Sequence, residues 1–339
     1  MTNITLNLGE RSYGIFVGRN LLCSIGELLD LNRKVFILTD SGVPQEYSEA
    51  IRRQAKNGKV FTVREGEGSK SYAVLEEVHL EMLKFGMSRS DLLISVGGGV
   101  VGDLGGFAAS TYMRGIDFYN IPTTVLAAVD SSVGGKCAVN LGGVKNVIGS
   151  FYQPKAVVVD TDTFKTLDKR QISAGLAESV KMAMTSDEEL FSLFENEEIN
   201  LENIEKIITR SIEIKRGVVE RDEREAGERK ILNFGHTLGH GIEALNFGRL
   251  YHGECVALGM LPMCEGEVRE RLIRVLKKLS LKTEFELDID KVLTFVSSDK
   301  KCRGGFIEAI FVNKIGQYRI EKMTLSDFEY MIKARVLSL

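Results

Sequence analysis

A mostly apolar run, Leu92-Leu-Ile-Ser-Val96, passes without a spacer into Gly97-Gly-Gly-Val-Val-Gly-Asp-Leu-Gly-Gly106, after which a helical pattern begins. Strand, glycine turn and helix in that order commit this part of the chain to an α/β arrangement, because a strand apolar on both faces needs helices to cover it. Glycines let a backbone come close to a pyrophosphate, and the first turn of a helix offers unpaired N–H groups with a partial positive charge. An earlier run, Val35-Phe-Ile-Leu-Thr-Asp40, ends in an acidic residue placed as an acceptor for a ribose hydroxyl would be. The glycine run also suits a tight turn that binds nothing, and its spacing is not G-x-G-x-x-G. Asp103 inside it weighs toward a ligand site, since a carboxylate buried there is costly unless it accepts hydrogen bonds.

Short β-branched runs at 4–8, 13–17, 34–39, 59–63, 92–96, 118–121 and 156–160 predict strands, the first two as a hairpin. Between them Pro44 marks a helix start, and Tyr72, Leu75, Val78, Met82 and Phe85 recur at helical spacing. Beyond about residue 170 the period shifts to that of helices, expected over 174–184, 188–194, 201–222, 233–245 and 253–279. A two-strand element at 306–312 and 317–320 and a helix from Ser326 close the chain. The 339 residues therefore divide into an α/β domain over 1–170 and a mainly α-helical domain over 171–339.

A net charge of −3 offers no basic field, which argues against nucleic acid as a partner. No stretch reaches the roughly 18–20 apolar residues of a membrane span. The N-terminus alternates like a strand and lacks the charged start and apolar run of a signal peptide, so a cytoplasmic protein is expected. Cys23, Cys137, Cys255, Cys264 and Cys302 are scattered, with no C-x-x-C pair, and read as reduced thiols.

Of the four histidines, His79 stands alone while His236, His240 and His252 cluster. His236 and His240 share a helix face, and His252 precedes Gly253-Glu254 at a helix start. A catalytic metal site takes three N or O ligands and keeps a position open, so two helix histidines need a carboxylate. Glu178, in Ala174-Gly-Leu-Ala-Glu-Ser-Val-Lys181, is the candidate, because its charge and that of Lys181 are expensive in an apolar helix without partners. The residues alone also allow ordinary helix-face histidines and a surface Glu178–Lys181 pair, and H-E-x-x-H is absent. Arg114, Lys136, Lys145, Asn146, Lys181, Lys215, Arg229 and Asn233 stand in apolar, glycine-rich surroundings. Ser131-Ser-Val-Gly-Gly-Lys136 and Gly142-Gly-Val-Lys-Asn146 set cations at glycines, as in a loop that wraps an anion. The charge-rich stretch 216–224 reads as a solvated helix face.

The motifs Gly97-Gly-Gly-Val-Val-Gly-Asp-Leu-Gly-Gly-Phe107, Pro122-Thr-Thr124, Val129-Asp-Ser-Ser-Val-Gly-Gly-Lys136, Lys145-Asn146, Phe151-Tyr-Gln-Pro154, Ala177-Glu178, Leu232-Asn-Phe-Gly-His-Thr237 and His252-Gly-Glu254, in this order, resemble the 3-dehydroquinate synthase family. That resemblance implies a Rossmann-like α/β N-terminal domain, a helical C-terminal domain and a homodimer. It implies a lyase of the shikimate pathway to aromatic amino acids, which uses NAD and a divalent metal ion. The substrate is 3-deoxy-D-arabino-heptulosonate 7-phosphate: transient oxidation at C5, phosphate elimination, re-reduction, ring opening and aldol closure yield 3-dehydroquinate.

By the same resemblance Glu178, His236 and His252 are the metal ligands, and His240 stands beside the substrate instead. NAD contacts map to Asp40, to Glu65, Gly66, Glu67, Gly68, Ser69 and Lys70, and to Gly99, Val100, Val101, Gly102 and Asp103. They continue through Thr123, Thr124, Lys136 and Lys145 to Thr163, Phe164, Lys165 and Thr166. Substrate contacts map to Asp130, Lys136, Asn146, Lys181, Lys215, Arg229, Asn233 and His240, with either Lys300 or Lys301, while Arg114 resembles a residue that reaches across the dimer. The stretch 65–70 matches loosely, and Cys137 stands where threonine is common. Carboxylate and imidazole ligands suit Zn²⁺ or Co²⁺. A metal-dependent NAD polyol dehydrogenase or another sugar phosphate cyclase is the rival enzyme, and a non-catalytic dinucleotide sensor would leave Glu178, His236 and His252 without a purpose.

Overall fold

The computed structural model describes residues 1–246, 248–286, 288–298 and 305–336; Lys300, Lys301 and Cys302 lie outside them. By contact the chain divides into two units, Met1–Leu167 with Leu201–Glu220 and Asp168–Asn200 with Arg221–Leu339.

The first unit is built on strands β1 (Thr2–Leu6), β2 (Tyr13–Gly18), β3 (Lys34–Asp40), β4 (Asn57–Val63), β5 (Leu92–Gly97), β6 (Asp117–Pro122) and, after a separate ribbon, β9 (Ala156–Asp160). Their order in the sheet is β1-β2-β9-β6-β5-β3-β4, with only the β1–β2 hairpin antiparallel. Every residue of β5 and β9 is buried, as a parallel sheet covered on both faces demands. Side chains alternate across β3. Phe36 and Leu38 join a core with Val78, Met82, Leu104 and Phe107 from helices α3 (Tyr72–Lys84) and α4 (Gly99–Thr111). Val35 and Ile37 join the opposite core with Ile25 and Ile51 from α1 (Ile25–Leu28) and α2 (Gln45–Gln54).

The ribbon β7 (Lys136–Leu141) and β8 (Val144–Phe151) was expected as loops. It pairs antiparallel through Gly142-Gly143, both at positive φ, as a two-residue hairpin turn requires. Its buried Cys137 and Val139 belong to the core beneath α4, which comes so close that a Cβ on Gly106 would stand 2.2 Å from the Cys137 sulfur.

The second unit carries α5 (Lys169–Ser186), α6 (Glu188–Asn196), α8 (His236–Asn246), α9 (His252–Met260), α10 (Gly266–Lys278), α11 (Ile289–Ser298), the ribbon β10 (Phe306–Lys314) and β11 (Gln317–Thr324), and α12 (Leu325–Val336). Helix α7 (Ile204–Arg221) belongs, but for its last residue, to the first unit. The single helix expected over 253–279 is two. A 3₁₀ turn with Pro262 and an extended Cys264 separate α9 from α10, because proline lacks the donor an α-helix needs. The fold class, an α/β N-terminal part and a helix-rich C-terminal part, is the one expected. No helix among the described residues is long and apolar enough to cross a membrane.

Candidate active site and metal centre

Helix α5 is held at its start by Asp168, whose carboxylate accepts the Gln171 N–H at 2.7 Å, and all its residues from Ala174 to Thr185 are buried. Two of them are charged: Glu178 is 0% and Lys181 1% exposed. Lys181 Nζ donates to Glu178 Oε2. The other oxygen, Oε1, is buried and has no hydrogen-bond partner. It faces Nε2 of His236 at 3.7 Å and Nε2 of His252 at 3.5 Å, too long for hydrogen bonds.

Each imidazole is oriented from behind. His236, the first residue of α8, has Nδ1 3.2 Å from the Phe234 carbonyl. His252, the first residue of α9, has Nδ1 2.9 Å from Glu243 Oε2. A proton on each Nδ1 turns both Nε2 atoms toward Glu178; the lone pair is free on neutral His236, and on His252 it is freed once a cation displaces the second proton, the arrangement in which a second partner fixes the ring of a metal ligand. His240 completes the cluster, with ring centroids 5.4 Å from His236 and 5.8 Å from His252, and the ligand-capable atoms of the three rings lie within 4.8 Å of one another.

Burial works against the Glu178 charge, but Lys181, His236 and His252 outweigh it and hold the carboxyl well below its usual range. Burial, reinforced by Lys181, keeps His236 neutral, so its lone pair is available. Burial also opposes charge on His252, yet the carboxylates of Glu178 and Glu243 lift its pKa to about 10. A buried carboxylate oxygen without a donor is costly. A divalent cation about 2 Å from that oxygen and the two Nε2 atoms would satisfy all three, so the residues fit a metal ion.

In the same unit Arg229 is buried and donates from its guanidinium to the Glu223 carbonyl, while Asn233 Nδ2 donates to Glu225 Oε1 at 2.6 Å. Glu225 adopts φ +60°, in the left-handed region.

In the α/β unit the residues expected to hold a dinucleotide follow the carboxyl ends of parallel strands, where ligands of such sheets bind. Asp40 ends β3, 65–70 follow β4, the glycine turn follows β5, Thr123 and Thr124 follow β6, and 163–166 follow β9. Asp40 Oδ1 accepts the Gly42 N–H at 2.8 Å; burial raises its pKa. Lys70 Nζ lies 2.5 Å from Asp103 Oδ2 in the first turns of α4. Burial raises the Asp103 pKa to about 6 despite Lys70, with Glu67 and Asp130 adding to the rise. The hydroxyl of Thr163 turns back to the Asp160 carbonyl at 2.7 Å, Phe164 is buried, and Lys165 pairs with Asp162 at 2.7 Å. The side chains of those three residues are thus engaged within the fold.

Lys215 of α7 is buried and its Nζ lies 2.6 Å from Asp130 Oδ1, also donating to the Asp130 carbonyl. Asp130 sits in a single wide turn, Ala127–Ser131, of the kind often found at functional sites. Lys136, Lys145 and Asn146 are exposed on the β7–β8 ribbon, where Asn146 has φ +53° and its N–H donates to Asn140 Oδ1 at 2.9 Å. Arg114 is exposed in a left-handed turn at φ +70°.

Sequence reasoning missed Glu243 and Glu225. Glu243 stands two helical turns after His236, a spacing that would have flagged it; nothing local distinguishes Glu225 in its charged loop.

The sequence model described as 3-dehydroquinate synthase N-terminal matches residues 60–174, and that described as 3-dehydroquinate synthase C-terminal matches residues 175–302. A 3-dehydroquinate synthase of Clostridium beijerinckii is 41% identical over 350 residues, covering 97% of this chain and all of the relative. Among solved structures, 2-deoxy-scyllo-inosose synthase complexed with carbaglucose-6-phosphate, NAD⁺ and Co²⁺ aligns with a TM-score of 0.88 at 24% identity, over 98% of this chain and 100% of that one. The 2-epi-5-epi-valiolone synthase of Streptomyces hygroscopicus with NAD⁺ and Zn²⁺ bound gives the same TM-score and identity over 98% of each chain. At that identity the two structures speak for the fold.

Proposed function

The chain belongs to the 3-dehydroquinate synthase family, and from that premise we infer that it converts 3-deoxy-D-arabino-heptulosonate 7-phosphate to 3-dehydroquinate and phosphate. Glu178, His236 and His252 hold a divalent metal ion, Zn²⁺ or Co²⁺, and the carboxyl edge of the parallel sheet takes NAD. The observation that carries the metal assignment is the buried, partnerless Oε1 of Glu178 facing two Nε2 atoms.

When bound, NAD supplies a transient hydride acceptor and the metal acidifies the hydroxyl being oxidised. The chain does the rest. Lys181 (poised against Glu178), His240 and Asn146 hold the departing phosphate, with Arg114 contributed across a homodimer. Arg229, Lys215 and Asn233 fix the substrate carboxylate and hydroxyls, and Asp130 orients Lys215. Lys136 serves cofactor and substrate. Lys70 and Asp103 together shape the pyrophosphate turn. In this reading residues 1–170 carry the NAD site and 171–339 the metal and most substrate residues of a cytoplasmic enzyme, with 201–220 folded into the first unit.

The test is phosphate release from metal-loaded protein given substrate and NAD⁺, with NADH absorbance followed in the same cuvette. Phosphate released without net NADH, abolished by a chelator and restored by Zn²⁺ or Co²⁺, is the expected result. Accumulating NADH would instead identify a dehydrogenase.

A further inference from the structure

Helices α5 and α9, which carry Glu178 and His252, meet backbone to backbone. A Cβ on Gly253 would stand 1.8 Å from the Ala174 carbonyl oxygen, one turn before Glu178. One turn earlier still, Arg170 reaches over the start of α9. Its Nε donates to Glu254 Oε1 at 2.7 Å and its Nη2 to Oε2 at 2.8 Å, a fork-to-fork pair. The same Nη2 donates to the Arg249 carbonyl at 2.7 Å, and the guanidinium lies 4.8 Å from the centre of the Tyr251 ring. Glu254 Oε2 also accepts the Tyr251 N–H at 2.7 Å, tying the N-terminus of α9 back to its own third residue. One side chain thus grips residues 249, 251 and 254, on both sides of His252.

We propose that Arg170 is a positioning residue for the metal centre, which holds the first turn of α9 at the height that aims His252 Nε2 toward Glu178 Oε1. This rests on the reading that Glu178, His236 and His252 bind a metal ion. The Arg170 side chain is 52% exposed, and a half-exposed pair adds little to global stability. Glu254 is only 8% exposed and lies two residues from the histidine, so the consequence of the grip is local. Glu243 holds the His252 ring from its far nitrogen, but a ring held at one atom still follows its backbone. The clamp and the Gly253 seat fix that backbone against α5. Lysine keeps the charge and loses the fork.

The experiment strips the full-length protein with a chelator, then titrates Co²⁺ by its visible absorption and Zn²⁺ by competition with a chromophoric chelator. Wild type, R170A, R170K, E254Q and H252A are compared, and thermal melting of each metal-free protein is recorded. R170A is expected to bind about tenfold more weakly, at the low end of the range for residues that act behind a ligand, with an altered Co²⁺ spectrum and a little-changed melting temperature. R170K falls between R170A and wild type. R170A with wild-type affinity and spectrum overturns the proposal. Should R170A not fold, E254Q serves in its place, since it keeps the side-chain shape and weakens the same fork. E254Q binding like wild type would then overturn it. If wild type itself takes up no stoichiometric Co²⁺, or H252A binds as wild type does, the metal reading fails instead, and the two failures are distinguishable.

Discussion

Glu243 Oε2 and His252 Nδ1 lie 2.9 Å apart, and the carboxylate reaches that nitrogen from the same helix that begins with His236. One helix therefore provides one imidazole directly and orients another through its ring. Carboxylates in this position raise the basicity of a ligand histidine and fix its tautomer. Glu243→Ala is expected to weaken Zn²⁺ binding by about tenfold to a hundredfold, as measured by chelator competition. Unchanged affinity would show that Glu243 has no influence on the ligand.

Lys181 donates to Oε2 of the buried Glu178 carboxylate, whose Oε1 lacks a hydrogen-bond donor among the described residues. Lys181→Met removes the counter-charge and should destabilise the metal-free protein by about 3 kcal/mol in urea unfolding. Saturating Zn²⁺ should recover most of that loss, because a cation at Oε1 compensates the same carboxylate and binds only the folded state. If Zn²⁺ raises the melting temperature of the variant no more than that of wild type, Glu178 is not a ligand.

Asp103 has its folded pKa raised from 3.8 to about 6. The folded state therefore holds this proton more tightly than the unfolded one. The stability that follows is fully present below pH 3.8 and is lost as pH rises through about 6. Subtracting the Asp103→Asn stability curve from the wild-type curve should reveal a fall of about 2 to 3 kcal/mol across that window in the protein free of NAD. A flat difference would show that the Lys70 pairing cancels the effect of burial.

The Gly253 site has no room for a side chain, since the atom 1.8 Å from the added Cβ is a backbone carbonyl oxygen that cannot rotate away. Gly253→Ala should destabilise the metal-free protein by about 2 to 3 kcal/mol and weaken metal binding as well. Retention of wild-type melting and Co²⁺ spectrum would mean that α9 moves on α5 without consequence for His252.

Much of the fold was legible because its signals are local. The buried runs of β3, β5 and β9, the glycine turn into α4 and the helical period of α3 each rest on neighbouring residues. The missed features depend on partners far along the chain. The β7–β8 ribbon forms where Cys137 and Val139 find a core beneath α4, so its segments read as glycine loops in isolation. At 253–279 the apolar period runs through Pro262 and masks the break into α9 and α10.

The sequence by itself determined the α/β and helical halves, the carboxyl-edge placement of the glycine turn and the residue types of the glutamate and histidine cluster, since backbone geometry and period act over a few residues. Only the tertiary structure decided which atoms meet. Spacing on one helix paired His236 with His240 and only the family resemblance substituted His252; in the structure Glu178 Oε1 approaches His236 and His252, the three side chains coming from three different helices. Likewise Lys215 finds Asp130 and Arg170 finds Glu254. A buried charge is stable only where the fold supplies its partner, and that partner is fixed by packing between helices rather than by distance along the chain.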